Sequence, residues 1–173
     1  IKRLKEVKRS KPTPILREAL AASTSVAQYA KDLLMNWGFT GVNTVRLDAE
    51  TCDLYINERA RLSYGAGRRA LFLAALSISM LKYSMENDYP HLGFVVIDSP
   101  LKAYADPESK EQLEVPISTV RDGFYSWLAN WEGPGQVIIL ENEKVPENLI
   151  TSIKPIQFGG ERSGFYPKEQ MDL

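Results

Sequence analysis

The sequence predicts an α/β domain with a mainly parallel sheet flanked by helices and an antiparallel edge. Three observations predict it. Phe94-Val95-Val96-Ile97 runs into Asp98, Ser99 and Pro100, and Val137-Ile138-Ile139-Leu140 runs into Glu141, Asn142 and Glu143. Short continuous apolar runs suit strands buried on both faces, as in a parallel sheet. A helical pattern over Ile117 to Trp131 separates them, and strand–helix–strand implies a right-handed crossover. Upstream, Val42 to Leu47 and Asp53 to Ile56 alternate around the acidic turn Asp48-Ala49-Glu50, as an antiparallel pair at a sheet edge would.

The whole chain sets bounds on function. Its 173 residues, 44% hydrophobic and 25% charged, suit one domain with a real core. A net charge of −1 gives no argument from bulk charge for nucleic-acid or membrane binding. Cys52 is the single cysteine and His91 the single histidine, which excludes an intrachain disulfide, a cysteine zinc cluster and any two-histidine site. A reducing, cytoplasmic setting is expected. No signal peptide is evident, and the longest apolar run, around Ala70 to Leu81, is too short to span a bilayer. The chain begins at Ile1 and reads as an excised or processed piece.

In order, Ile1 to Lys11 is a basic helical end with Leu4 and Val7 on a thin seam, and Pro12 and Pro14 break it. The first 14 residues read as linker or the end of a coiled coil, and 15–173 as the domain. A helix is expected over Ile15 to Trp37 with Gly38 as its C-terminal cap. Ser23-Thr24-Ser25 offers a new N-cap, so two helices are an alternative. Cys52 is expected to pack as a small apolar side chain. The helix around Leu71 to Leu81 is apolar nearly all round and should be buried. Leu101 to Pro116 reads as a long surface loop with one helical turn at most. Val120, Phe124, Trp127, Leu128 and Trp131 form a core stripe, with Ser118 or Thr119 as cap. The tail, Phe158 to Pro167, is aromatic enough to pack back on the domain.

Two places carry chemistry. Asp98 falls at the carboxyl end of a central strand, the end that faces the ligand crevice in open α/β sheets. An acid there either caps the next turn or meets a cation, and magnesium is the common partner in nucleotide hydrolases. Glu141 and Asn142 should lie beside it on the adjacent strand. The second place is Ser63-Tyr64-Gly65-Ala66-Gly67-Arg68, a glycine pair leading into a helix. It is either a plain turn or a phosphate-binding loop, since glycines admit close backbone approach and helix N-termini attract anions. No GxxxxGK[ST] motif occurs, so the chain carries no P-loop of its own.

This order of motifs resembles the C-terminal half of an ABC-type ATPase head, and more closely the SMC-like coiled-coil ATPases of bacterial DNA repair and phage defence. The likeness covers roughly Trp37 to Pro167. It implies that Ser63 to Arg68 is the signature loop, contacting ATP held by the opposite head of a homodimer. It implies that Phe94 to Asp98 is the Walker B strand, with Asp98 holding Mg2+ through water. Leu101 to Asp106 falls at the D-loop, and Glu141 and Asn142 at the switch position. ATP and Mg2+ are the implied cofactors. The implied partners are an N-terminal P-loop lobe of the same protein, a second head, DNA and an effector protein, with no membrane. Three departures stand out: SYGAGRR replaces the common LSGGQ, Ser99 replaces the Glu that follows Walker B, and the switch histidine is absent. Ser99 is a poor base, so Glu141 becomes the candidate base. The alternative is a degenerate, non-hydrolysing module whose nucleotide gates assembly. A nucleophile-and-base hydrolase is disfavoured by the single histidine beside a glycine-free strand end.

Overall fold

A computed structural model of the chain describes residues 16–105, 115–142 and 144–156. The basic start and the aromatic tail lie outside these residues. The described architecture is mixed α/β, with five helices, a three-stranded antiparallel sheet and a two-stranded parallel one.

Helix α1 spans Leu16–Asn36 without a break. The Ser23 and Thr24 hydroxyls donate back to the Leu20 carbonyl at 2.9 and 2.8 Å, so they serve within the helix and start no second one. Val26, Ala30, Leu33 and Leu34 form its buried stripe. Gly38, at φ +94°, ends it as expected. Gly38 N–H donates to Met35 O and Phe39 N–H to Leu34 O, both at 3.0 Å, the paired bonds of a Schellman cap. That turn drops Phe39 into the core, edge-on to Phe72 and Tyr104.

Strands β1 (Val45–Asp48) and β2 (Asp53–Ile56) pair antiparallel, Val45 with Ile56 and Asp48 with Asp53. Asn57 and Glu58 both have positive φ and join β2 to β3 (Arg59–Ala60), the geometry of a two-residue type I′ hairpin. Among the described residues these strands form a separate sheet, where the sequence suggested an edge of the parallel one. Cys52 is exposed at φ +51° in the β1–β2 turn, so its position is conformational and it fills no core.

Helix α2 (Ala66–Glu86) packs against α1 and buries Leu71, Phe72, Ala75, Ile78 and Leu81. It is not buried all round: Leu73 and Met80 are each 46% exposed. Strands β4 (Phe94–Asp98) and β5 (Gln136–Leu140) pair in parallel, Asp98 beside Leu140. Val95, Ile97, Val137 and Ile139 pack on the core. The other face is open, with Phe94 at 42%, Val96 at 53% and Leu140 at 46% exposure. Burial on both faces, expected from composition, is therefore met on one face only.

Helix α3 (Pro100–Ala105) begins directly after β4. It buries Leu101 and Tyr104, so the start of the expected surface loop is core helix. Pro at its first position suits a helix start. Residues 106–114 lie outside the described residues. Helix α4 (Ile117–Ala129) starts from Pro116 with no side-chain cap, so neither Ser118 nor Thr119 acts as one. Its aromatics are core: Trp37 lies 5.0 Å from Phe124 and 5.6 Å from Trp127 between ring centroids. A 3-10 turn leads into the short α5 (Ile150–Ile153). Among the described residues no helix is long and apolar enough to cross a membrane.

Gly123 lets α4 lie against the end of α1. A Cβ there would stand 2.7 Å from Asn36 O and 3.0 Å from Trp37 Cα, backbone atoms that cannot move aside cheaply. Gly123→Ala is expected to cost about 1–3 kcal/mol of stability by overpacking. Urea unfolding measures it, and an unchanged midpoint would refute the close crossing.

Candidate functional site

The strand ends form the first half of the site. Ladder pairing places Asp98 opposite Leu140, so Glu141 and Asn142 follow on the adjacent strand. Ser99 then turns the chain in the left-handed region, φ +47°, directly before Pro100. A non-glycine residue held there costs on the order of 1–3 kcal/mol, which its surroundings must supply. Ser99 N–H extends the ladder by donating to Leu140 O at 2.7 Å. Its hydroxyl donates to Asp98 Oδ1 at 2.7 Å. From the other strand, Glu141 Oε2 accepts the Leu101 N–H at 2.7 Å, and Oε1 accepts the Asn142 N–H at 2.8 Å. Asp98 itself is exposed.

An exposed carboxylate beside a hydroxyl is an oxygen donor set, which suits a hard cation. Among the described residues no three His, Cys, Asp or Glu side chains converge to cage a metal. One carboxylate is nevertheless compatible with magnesium, which keeps most of its waters and takes further oxygens from substrate phosphates.

The glycine loop forms the second half. A 3-10 turn, Arg61–Ser63, leads to Gly65, which precedes α2 without a side-chain cap. Ser63 Oγ donates to Ala60 O at 2.7 Å and Tyr64 OH to Ile56 O at 2.7 Å. Arg59 donates to Ser63 O at 3.2 Å and lies 4.5 Å over the Tyr64 ring. Arg68 stands 6.0 Å from the same ring. It lines a shallow open cleft with Val42, Asn57, Tyr64 and Phe72. Gly67 is buried, and a Cβ on it would stand 2.5 Å from Tyr104 Cα and 2.7 Å from Ala103 O. One role of this glycine is therefore steric: it lets α2 meet α3.

Arg61 braces the loop from behind. Its Nε and Nη2 donate to the two Asp53 oxygens at 2.6 and 2.9 Å, and Nη1 donates to Arg69 O at 3.3 Å. Burial alone would raise the Asp53 carboxyl, but the Arg61 hydrogen bond, the Leu54 amide and the Arg61 charge together hold it below its ordinary range.

The structure thus brings Asp98, Glu141 and Asn142 to neighbouring strand ends, and Ser63 to Arg68 form a second place at the start of α2. Helix α3 connects the two places: it follows Asp98 and Ser99 directly, and its Ala103 and Tyr104 pack against Gly67. Sequence reasoning missed the Asp53–Arg61 pair and the conformation of Ser99. The first had a signal: with Asn57-Glu58 as the turn, Ile56 pairs with Arg59 and Arg61 falls one register step from Asp53. No protein-family model matches the sequence, and comparison with curated proteins finds no match.

Asp53→Asn is expected to lower stability by about 1–3 kcal/mol near neutral pH, since it removes a hydrogen-bonded charge partner of Arg61. The folded carboxyl titrates below the ordinary value of 3.8. Its contribution is therefore complete above that value and fades as pH falls through the depressed folded one. Urea midpoints of wild type and variant should converge in acid. A gap independent of pH would contradict the ion pair.

Proposed function

We propose that this chain is one half of an SMC-like, ABC-type ATPase head. The observation that carries the reading is an exposed Asp98 at the carboxyl end of a parallel strand pair whose outer face is apolar and open. Parallel sheets occur with both faces covered, and two strands alone make a marginal sheet. A second lobe would complete the sheet, and in the family this chain resembles, that lobe carries the P-loop. Asp98 would then hold Mg2+ through water, with Asn142 at the switch position. Ser63 to Arg68 would serve ATP on a second head, as the resemblance implies. The metal would neutralise phosphate charge, and the protein groups would position the nucleotide and the attacking water. DNA as the macromolecular partner follows from the resemblance alone, as does a role in repair or phage defence.

A nucleotide-gated, non-hydrolysing clamp is the second reading. It is favoured by Ser99 in place of a carboxylate, and by Glu141, whose two oxygens each accept a backbone N–H.

ATP hydrolysis by the complete protein, P-loop lobe included, tests both readings. Asp98→Ala is expected to reduce turnover by about 100-fold or more, the loss typical of removing a principal charge-stabilising group. ATP binding with no turnover above the Asp98→Ala level would select the clamp. Absence of ATP binding would refute both.

A further inference from the structure

We infer that Glu141 is a positioning residue that latches the end of β5 to the start of α3 and so fixes Asp98, and that it is not the general base. The inference rests on the ATPase reading of the site. A base must present a carboxylate oxygen to a water at about 2.6–3.2 Å. Here Oε2 accepts the Leu101 N–H at 2.7 Å and Oε1 accepts the Asn142 N–H at 2.8 Å. Pro100 has no N–H, so Leu101 carries the first donor of α3. The carboxylate is thus oriented by two backbone donors, as a latch requires, and turning it away would strip the Leu101 N–H of this partner.

The latch acts on Asp98 through Ser99. The left-handed turn at Ser99 lies between two anchors: its N–H on Leu140 O in the ladder, and α3, whose first turn Glu141 holds. Buried Leu101 and Tyr104 seat the rest of α3. With both anchors fixed, the Ser99 hydroxyl stays on Asp98 Oδ1 at 2.7 Å. Without Glu141 the start of α3 loosens, the strained turn relaxes, and Asp98 loses its orientation. The far end of α3 meets Gly67, so the same short helix connects the carboxylate to the glycine loop.

The experiment uses the complete protein with Glu141→Gln, Glu141→Ala and Asp98→Ala. It measures ATP turnover against Mg2+ concentration and amide exchange at Leu101. Gln retains a side-chain oxygen that can accept the Leu101 N–H. Glu141→Gln is expected to keep Leu101 protected and turnover within about threefold of wild type, whereas loss of a base would cost about 100-fold or more. Glu141→Ala is expected to speed Leu101 exchange and raise the half-saturating Mg2+ concentration, each by about tenfold, the factor that corresponds to one net hydrogen bond. A Gln variant as inactive as Ala, with Leu101 still protected, would make Glu141 the base and overturn the latch. Wild-type turnover no higher than Asp98→Ala would instead sink the ATPase reading. The exchange data then decide the latch alone: faster exchange in Ala but not Gln supports it, and equal exchange in all three overturns it.

Discussion

A parallel pair of strands does not stand with one apolar face in water. That constraint shapes the described part of this protein. β4 and β5 rest their inner face on a core built by α1, α2 and α4, and leave Phe94, Val96 and Leu140 open on the other side. Exposed apolar surface of this kind, in the middle of a sheet, is what an interaction face looks like. The polar ends of the same two strands carry the candidate site. Completing the sheet and completing the site would therefore be one structural event.

The site depends on strain held by lacing. Ser99 sits in a backbone region that a serine before proline seldom adopts, and it is held between the ladder and the first turn of α3. Helix α3 is short, but it is buried at Leu101 and Tyr104 and has a hydroxyl tether from Tyr104 to Val115 O at 2.7 Å. A side chain at Gly67 would push it away. The Asp53–Arg61 pair braces the glycine loop on the opposite side, through the β2–β3 hairpin. Carboxylate and loop are thus connected through one short helix, held at its start by Glu141 and met towards its end by Gly67.

Much of this was legible in the sequence, and the exceptions have physical causes. The placing of Asp98 and Glu141 at one edge of a sheet, on adjacent strands, followed from two apolar runs, each ending in acid. The cap at Gly38 followed from a periodic helix that stops at a residue free to take positive φ. The open sheet face was hidden because Phe-Val-Val-Ile is the same composition whether the covering element belongs to the described fold or to another lobe. Pro100 stands just past the end of β4 and is also the first residue of α3, which the apolar run before it does not announce. Ser23-Thr24-Ser25 looked like a helix start because hydroxyls favour caps, and here the first two bond back to Leu20 O. The left-handed Ser99 had no local signal, because its conformation is imposed by groups distant along the chain, at Leu140 and Glu141.

The most direct test of a composite sheet is the reactivity of a thiol on its open face. Val96→Cys, placed in the complete protein, would be treated with a water-soluble maleimide, with labelling at position 96 read by peptide mass mapping. If a second lobe covers the face, position 96 stays unreactive until the protein is unfolded, and that is the expected result. Labelling at position 96 as fast as at the exposed Cys52 of the same protein would mean that the face is bare in the native state, and would contradict the composite fold.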